Sequence, residues 1–372
     1  MARQNQFSLY VHIPFCVKKC LFCSFAVTIG QAHRVDEYLE ALTKEAQQHK
    51  GRVIKTVYLG GGTPTFINAK QLAQLVGDLR RNFKIMDDAE WAIEINPEDI
   101  DAAKARTLKE LGFTRVSLGV QSFNDAYLKF LGRAHDSAQA LRAFEILRAA
   151  GFKNISVDVM YGFPKQTRAE LAADLNAALD LHSEHISLYT LTIEPNSRFY
   201  ATQMKLDSDE KLADDFSFVS DTLEQAGLKQ YEVSNFAKLG FESRHNMGYW
   251  TGVEYIGLGM GAHSFVDGRR FWNTEHLKEY LEKTGAGASP MAGEEALSLR
   301  TRFMERLVFG LRTNKGVYVP IIEKEVSFML PQETGDLIEH LIEGGFLCRQ
   351  DGYLKATRQG QLILDDLATR LI

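Results

Sequence analysis

The chain has 372 residues, of which 45% are hydrophobic and 24% charged, with a formal net charge of −5, an ordinary composition for a globular protein. No basic excess points to nucleic acid, no apolar run reaches the length of a membrane span, and the polar residues 1–8 offer no signal peptide. A cytoplasmic protein is expected, with more than one core at this length.

The first two-thirds alternates strands and helices. Strands are predicted at 7–13, 55–62, 89–96, 115–122, 154–162 and 185–193, with runs of Val, Ile and Leu of the kind covered on both faces. Helices are predicted between them at 34–50, 69–82, 101–111, 124–131, 137–150 and 168–181. Six consecutive βα units require a parallel sheet with right-handed crossovers. Periodicity does not separate a curled partial barrel from a flat doubly wound sheet. The rhythm then changes. A long helix is predicted at 208–226, followed by a stretch rich in Gly, aromatics and His at 231–273 and a linker at GAGASP, 285–290. Amphipathic helices follow from 297, and two short β segments flank the turn at Asp351-Gly352. Helices closed by a small hairpin resemble a winged-helix module.

Three of the four cysteines fall in YVHIPFCVKKCLFC, residues 10–23, spaced C-x3-C-x2-C behind the first strand. A cubane cluster has four irons, each needing an outer ligand, so three thiolates leave one iron open. Lys18 and Lys19 should favour the thiolates. A structural zinc site would need a fourth, paired ligand; Cys348 stands alone in the hairpin and is read as structural. Further on, LGGGTPT (59–65) brings bare backbone N–H groups to the end of the second strand, and no G-K-[ST] follows to make it a P-loop. Glu94, Gln121 and Asp158 lie on later strands and Arg133 in LGRAH. Parallel α/β folds bind ligands at the carboxyl ends of strands, so these four are candidates for a polar ring. GLGMGAH (257–263) lacks the full dinucleotide fingerprint and reads as a close-packed turn. RHNMGYW (244–250) joins His245, a residue type common as an axial heme ligand, to the flat apolar rings of Tyr249 and Trp250. A buried, hydrogen-bonded histidine among core aromatics accounts for that segment equally well.

The cysteine spacing, with an aromatic before the last cysteine, resembles the radical SAM superfamily. Y-x-H-I-P-F-C is similar to its HemN/HemW branch, which holds oxygen-independent coproporphyrinogen III oxidases and heme chaperones, and the resemblance runs over nearly the whole chain. It implies an α/β fold: a partial (β/α)6 TIM-like barrel with a small C-terminal α+β, winged-helix-like domain. The division implied is a core over 1–240, an HNxxYW segment and linker over 241–289, and a HemN-type C-terminal domain over 290–372. It implies a 4Fe-4S cluster on Cys16, Cys20 and Cys23 whose open iron chelates the amino and carboxylate groups of S-adenosylmethionine (SAM), with SAM cleaved to methionine and a 5′-deoxyadenosyl radical on electron transfer. Gly61, Gly62 and Thr63 would meet the methionine end of SAM. Glu94, Gln121, Arg133 and Asp158 would contact SAM, Tyr10 would lie beside it, and the Phe22 backbone near its adenine.

Three features lean toward the chaperones: Phe25 where the oxidases carry a cysteine, the motif starting at residue 16 without the oxidases' long extension, and HNxxYW itself. That reading implies heme as cargo, contacted by His245, with His263 at the SAM-side turn and His276 as weaker candidates. It implies recipient hemoproteins such as membrane respiratory enzymes and allows a homodimer. It assigns no catalytic residue and leaves the electron donor open. The alternatives are decarboxylation of a porphyrinogen propionate and radical opening of the heme ring.

Overall fold

The computed structural model describes residues 6–371; residues 1–5, part of the stretch read as offering no signal peptide, lie outside them. The predicted βα units form as β1 (Gln6–Ile13), β4 (Val53–Gly61), β5 (Lys84–Ile95), β6 (Arg115–Gln121), β7 (Ile155–Tyr161) and β8 (His185–Thr190). Two-residue strands β2 (Phe15–Cys16) and β3 (Thr28–Ile29) pair within the cysteine loop. The helices are α1 (Val35–Gln47), α2 (Ala69–Asn82), α3 (Ala102–Glu110), α4 (Asp125–Leu131), α5 (Ser137–Ala149) and α6 (Arg168–Asp180). Three of them start where the sequence writes a cap: Asn68 with Gln71, Asp136 with Gln139 and Thr167 with Glu170 each close a reciprocal capping box.

The sheet is larger than six strands. The long helix α8 (Asp209–Gln225), reached through the one-turn α7 (Arg198–Ala201), leads to β9 (Lys229–Glu232) and β10 (Asn235–Ala237), which finish one edge antiparallel. After α9 (Arg244–Trp250) the chain crosses to the other edge. There β11 (Tyr255–Leu258) runs parallel to β1, and β12 (His263–Val266), β13 (Arg269–Asn273) and β14 (Met291–Ala296) follow antiparallel. The order is β14-β13-β12-β11-β1-β4-β5-β6-β7-β8-β10-β9, so the sheet keeps two edges and does not close. The expected linker at 285–290 is instead the link from α10 (Leu277–Gly285) to the edge strand β14. The 241–289 segment contributes β11, β12 and β13 to the core sheet.

The six parallel strands are not apolar on both faces. Leu9, Val11, Val57, Leu59, Ile93, Val116, Val157 and Ile186 are all fully buried on the helix side. In register with one another on the opposite, inner face stand Ser8, Tyr10, Thr56, Tyr58, Glu90, Glu94, Ser117, Asp158 and Ser187. The alternation is the ordinary period of two, and it lines the inside of the sheet with polar groups.

The C-terminal part has its own core, built from Phe303, Met304, Leu307, Ile322, Ile338, Leu347 and Leu354. Helices α11 (Leu299–Leu311), α12 (Val319–Val326) and α13 (Gln332–Glu343) precede the hairpin β15 (Leu347–Gln350)–β16 (Tyr353–Ala356), and α14 (Arg358–Leu362) and α15 (Leu364–Leu371) close the chain. The unit docks on the sheet's inner side through α11 against α9, and through a bridge from Glu232 to Thr313.

Candidate functional site

The cysteine loop leaves the end of β1 and is tied down by that strand's own residues. His12 is buried; its Nε2 donates to the carbonyl of Ala26 at 2.8 Å, and Tyr10 donates its hydroxyl to Nδ1 at 3.0 Å. The Tyr38 hydroxyl donates to the His12 carbonyl at 2.8 Å. GLGMGAH packs under this anchor: Met260 N–H donates to the Tyr38 hydroxyl, and a Cβ on Gly259, which has φ +103°, would lie 2.4 Å from that oxygen. The turn is close-packed as expected, but it supports the loop from behind.

Cys16, Cys20 and Cys23 all line one cavity of about 660 Å³. Thr63 Oγ1 lies 3.4 Å from Cys16 Sγ and accepts from Asn96 Nδ2 at 2.9 Å. Asn96 Oδ1 accepts from Arg133 Nη2 at 2.7 Å, and Arg133 Nη1 reaches Cys20 Sγ at 3.4 Å. A chain of side-chain contacts thus joins the first cysteine to the second through the glycine loop, the residue after β5 and the segment after α4. Burial pushes the Cys16 thiol up to about 11, offset in part by Thr63 and Arg133. Burial likewise raises Cys23, with Lys19 and Arg133 pulling the other way. The lysines expected to generate thiolates are thus outweighed by desolvation. Lys18 is exposed and Lys19 turns to the Phe25 carbonyl at 3.5 Å. Among the described residues no three His, Cys, Asp or Glu converge on a single ion, and Cys348 lies in β15, away from the other thiols.

The glycines behave as required of a cradle. A Cβ on Gly62 would stand 2.9 Å from Cys16 Sγ and 2.8 Å from the Pro14 carbonyl oxygen, and Gly61 has φ +112°. Gly61 N–H donates to Glu94 at 3.2 Å, and Tyr58 donates to the same carboxylate at 2.8 Å. Burial first, then the neighbouring Asp158, raises Glu94 to about 7 against those two donors. Asp158 accepts from Ser117 at 2.8 Å and Ser156 at 3.0 Å. Gln121 ends β6 with φ +70° at a register shift, and this left-handed residue turns its side chain to the cavity. Phe22, Gly61, Gly62, Thr63, Glu94, Gln121, Arg133 and Asp158 all line this one space. The donor set of three thiols, the bare glycine backbone and a buried Arg133 Nε with no hydrogen-bond partner fit a cluster and a polar, charged ligand.

Four expected residues fall elsewhere. Tyr10 is not part of the wall; its ring stacks on Tyr58 at 6.2 Å, and Tyr58 is the residue exposed to the cavity. His245 is 1% exposed. Its Nδ1 meets Thr56 Oγ1 at 2.9 Å and its Nε2 meets Tyr249 Oη at 2.9 Å. Burial lowers it to about 3, and with both ring nitrogens engaged it presents no axial position for an iron in this conformation. His276 precedes α10 and lines neither cavity. His263 does not line the cysteine-lined cavity either; it lines a second cavity with Tyr249, Trp250, Tyr255 and Phe265. Asn96, Tyr58, Ser117 and Ser187 line the first site without having been singled out; their shared signal is polar residues at every second position of strands that otherwise read as apolar.

Residues 10–178 match the radical SAM superfamily model, and residues 297–363 match the HemN C-terminal domain. The chain is 36% identical to the heme chaperone HemW of Bacillus subtilis over 96% of both chains. It is 33% identical to the heme chaperone HemW of Escherichia coli over 99% of this chain and 98% of that one. Among solved structures it is similar to the coproporphyrinogen III oxidase HemN of Escherichia coli, described as a radical SAM enzyme, with a TM-score of 0.87 and 26% identity over 99% of this chain and 90% of that one.

Proposed function

Since the chain belongs to the radical SAM superfamily, in the HemW branch, we propose that it is a heme chaperone: it carries heme to recipient hemoproteins, and occupancy of its cluster–SAM site enables the transfer. The observation that carries the second half is the chain of contacts Cys16–Thr63–Asn96–Arg133–Cys20, which ties two thiols and the glycine loop into one arrangement; the heme half rests on the likeness to the heme chaperones. When bound, a 4Fe-4S cluster on Cys16, Cys20 and Cys23 supplies a coordination position and an electron for SAM. The chain's own part is positioning. Gly61 and Gly62 leave room for the methionine end, Glu94 offers a carboxylate to a cation, Gln121 and Asp158 provide polar groups along the strand ends, and Phe22 supplies an apolar edge. Arg133 places a fixed positive charge against the sulfurs.

Coproporphyrinogen oxidation is the second reading, supported by the likeness to HemN. One anaerobic incubation separates the two. Reconstituted protein is given SAM, a reductant and either coproporphyrinogen III or heme. Retained heme with no tetrapyrrole product supports the chaperone; protoporphyrinogen formation, or loss of the heme ring, overturns it.

A further inference from the structure

The inner face of the sheet does not end at the cluster cavity. The register row Glu90–Thr56–Ser8 continues through Tyr255 and Phe265 to Arg270 on β13. Helix α9 stands across this row. On one side it abuts the cluster cavity, where Asn246 is a lining residue. On the other lies a separate cavity of about 960 Å³, floored by β11–β13 and roofed by α11 and α12. That volume is within the range of small-molecule sites.

The lining of the second cavity is specific in three ways. Tyr249, Trp250, Tyr255, Phe265 and Phe309 give it aromatic walls, and Tyr249 meets Tyr255 edge to face at 4.9 Å. Its cations fall into two sets. Arg270 is paired with Glu295 and Glu305, and Arg306 with Glu325. Lys55 forms no ion pair among the described residues; Arg302 feels the charge of Glu254, another lining residue, but its Nε is buried with no hydrogen-bond partner. Trp250 Nε1 is equally unpartnered, although buried polar groups are nearly always satisfied. Lastly, His263 lines the cavity, and among the described residues no hydrogen bond occupies its imidazole. Its ring lies nearly parallel to Trp272, 22° between planes at 5.8 Å, which fixes its orientation. Partial burial and the adjacent Arg270, against Glu275, favour the neutral ring, the form that binds a metal.

A large flat apolar ligand with anionic arms and a metal at its centre would meet all of these groups together. We propose that this second cavity is the heme-carrying site, with His263 as an axial ligand to iron and with Lys55 and Arg302 receiving the propionates. The assignment rests on the heme-chaperone reading and deepens it: cargo and SAM occupy different compartments of one sheet face, separated by α9.

The test is a heme titration of the full-length protein, followed by absorption and EPR spectroscopy. Wild type is expected to give a histidine-ligated spectrum. His263→Ala should bind heme at least tenfold more weakly with an altered Soret band, and added imidazole should restore the band. His263→Met should bind with a different ligand signature. In Lys55→Ala/Arg302→Ala the preference for heme over its dimethyl ester should disappear. If wild type binds heme and His263→Ala keeps the same affinity and spectrum, the site is wrong while the chaperone reading stands. If wild type binds no heme, the chaperone reading fails and the site with it.

Discussion

Glu94 is held between opposing influences. Burial and Asp158 raise it to about 7, and Tyr58 and Gly61 stabilise the anion only in part. A ligand with a sulfonium charge favours the carboxylate, so at low pH binding must first expel the proton. SAM affinity is therefore expected to be full above about pH 7 and to fall as the pH drops, by at most about tenfold per unit. Equilibrium binding of SAM to the cluster-loaded protein between pH 6 and 8 checks this. Glu94→Gln should bind more weakly and show a flatter profile. The difference in slope isolates Glu94 from the ligand's own amino group, and equal slopes would reject the role. At this scale the sequence was legible where neighbours in the chain are neighbours in space, as with the three thiols and the three glycines, and where a charged or amide side chain interrupts an apolar strand, as with Glu94, Gln121 and Asp158. Asn96 and Tyr58 were not legible, because their partners, Arg133 and Glu94, come from other elements. His245 was legible as a histidine beside aromatics, but only tertiary contacts reveal that Thr56 and Tyr249 already occupy its ring.

Helix α9 has only seven residues, with Gly248 and two aromatics among them, too short and too poor a helix former to persist alone. It is stable because others terminate it. Ser243 caps Asn246 N–H, and the buried Glu90 carboxylate accepts the N–H groups of Arg244 at 3.2 Å and His245 at 2.9 Å. An anion at a helix N-terminus satisfies free donors and meets the positive end of the dipole. Glu90→Ala is expected to cost about 1–2 kcal/mol and to speed hydrogen exchange at Arg244 and His245 before the parallel strands are affected. Glu90→Gln, which keeps an acceptor, should cost less. Unchanged exchange at those two amides would show that the cap does not hold the helix. Strong periodicity made the six βα units and α8 legible within a few residues. The strands β11–β14 were not. β11 and β12 are only four residues long, and β14 (MAGEEA) is an almost wholly exposed edge strand with no apolar face to read. The run GAGASP just before β14 therefore passed for an interdomain linker.

At the scale of the molecule there are two large cores, one beneath the sheet and one in the C-terminal unit, beside a smaller cluster around Leu131, Phe163 and Phe199, and Arg312 bridges the two large units. Its guanidinium stacks 4.7 Å above Trp250 of α9 and lies 3.9 Å from the buried carboxylate of Glu232 on β9. The small hairpin unit was legible from its helices and Asp-Gly turn, but this attachment was not, since it depends on residues 62 and 80 positions apart in sequence packing together. Burial raises Glu232, and Arg312 offsets part of that cost. Removing the cation leaves a carboxyl group enclosed with only Asn235 and Ser234 as donors, the situation in which a buried pair is most costly to break. Arg312→Met should lower stability by about 3 kcal/mol and split denaturant unfolding into two transitions, because the damage lies between the cores. Adding Glu232→Gln removes the stranded charge and should recover much of the loss, giving a coupling energy from the double-mutant cycle. Trp250, on which Arg312 stacks, lines the second cavity, whereas Arg312 itself lines the cysteine cavity without touching a cysteine, so Arg312→Met should also weaken heme binding while the cluster's iron and sulfide content holds. A single unfolding transition with full stability in Arg312→Met would mean that the two cores are fastened elsewhere.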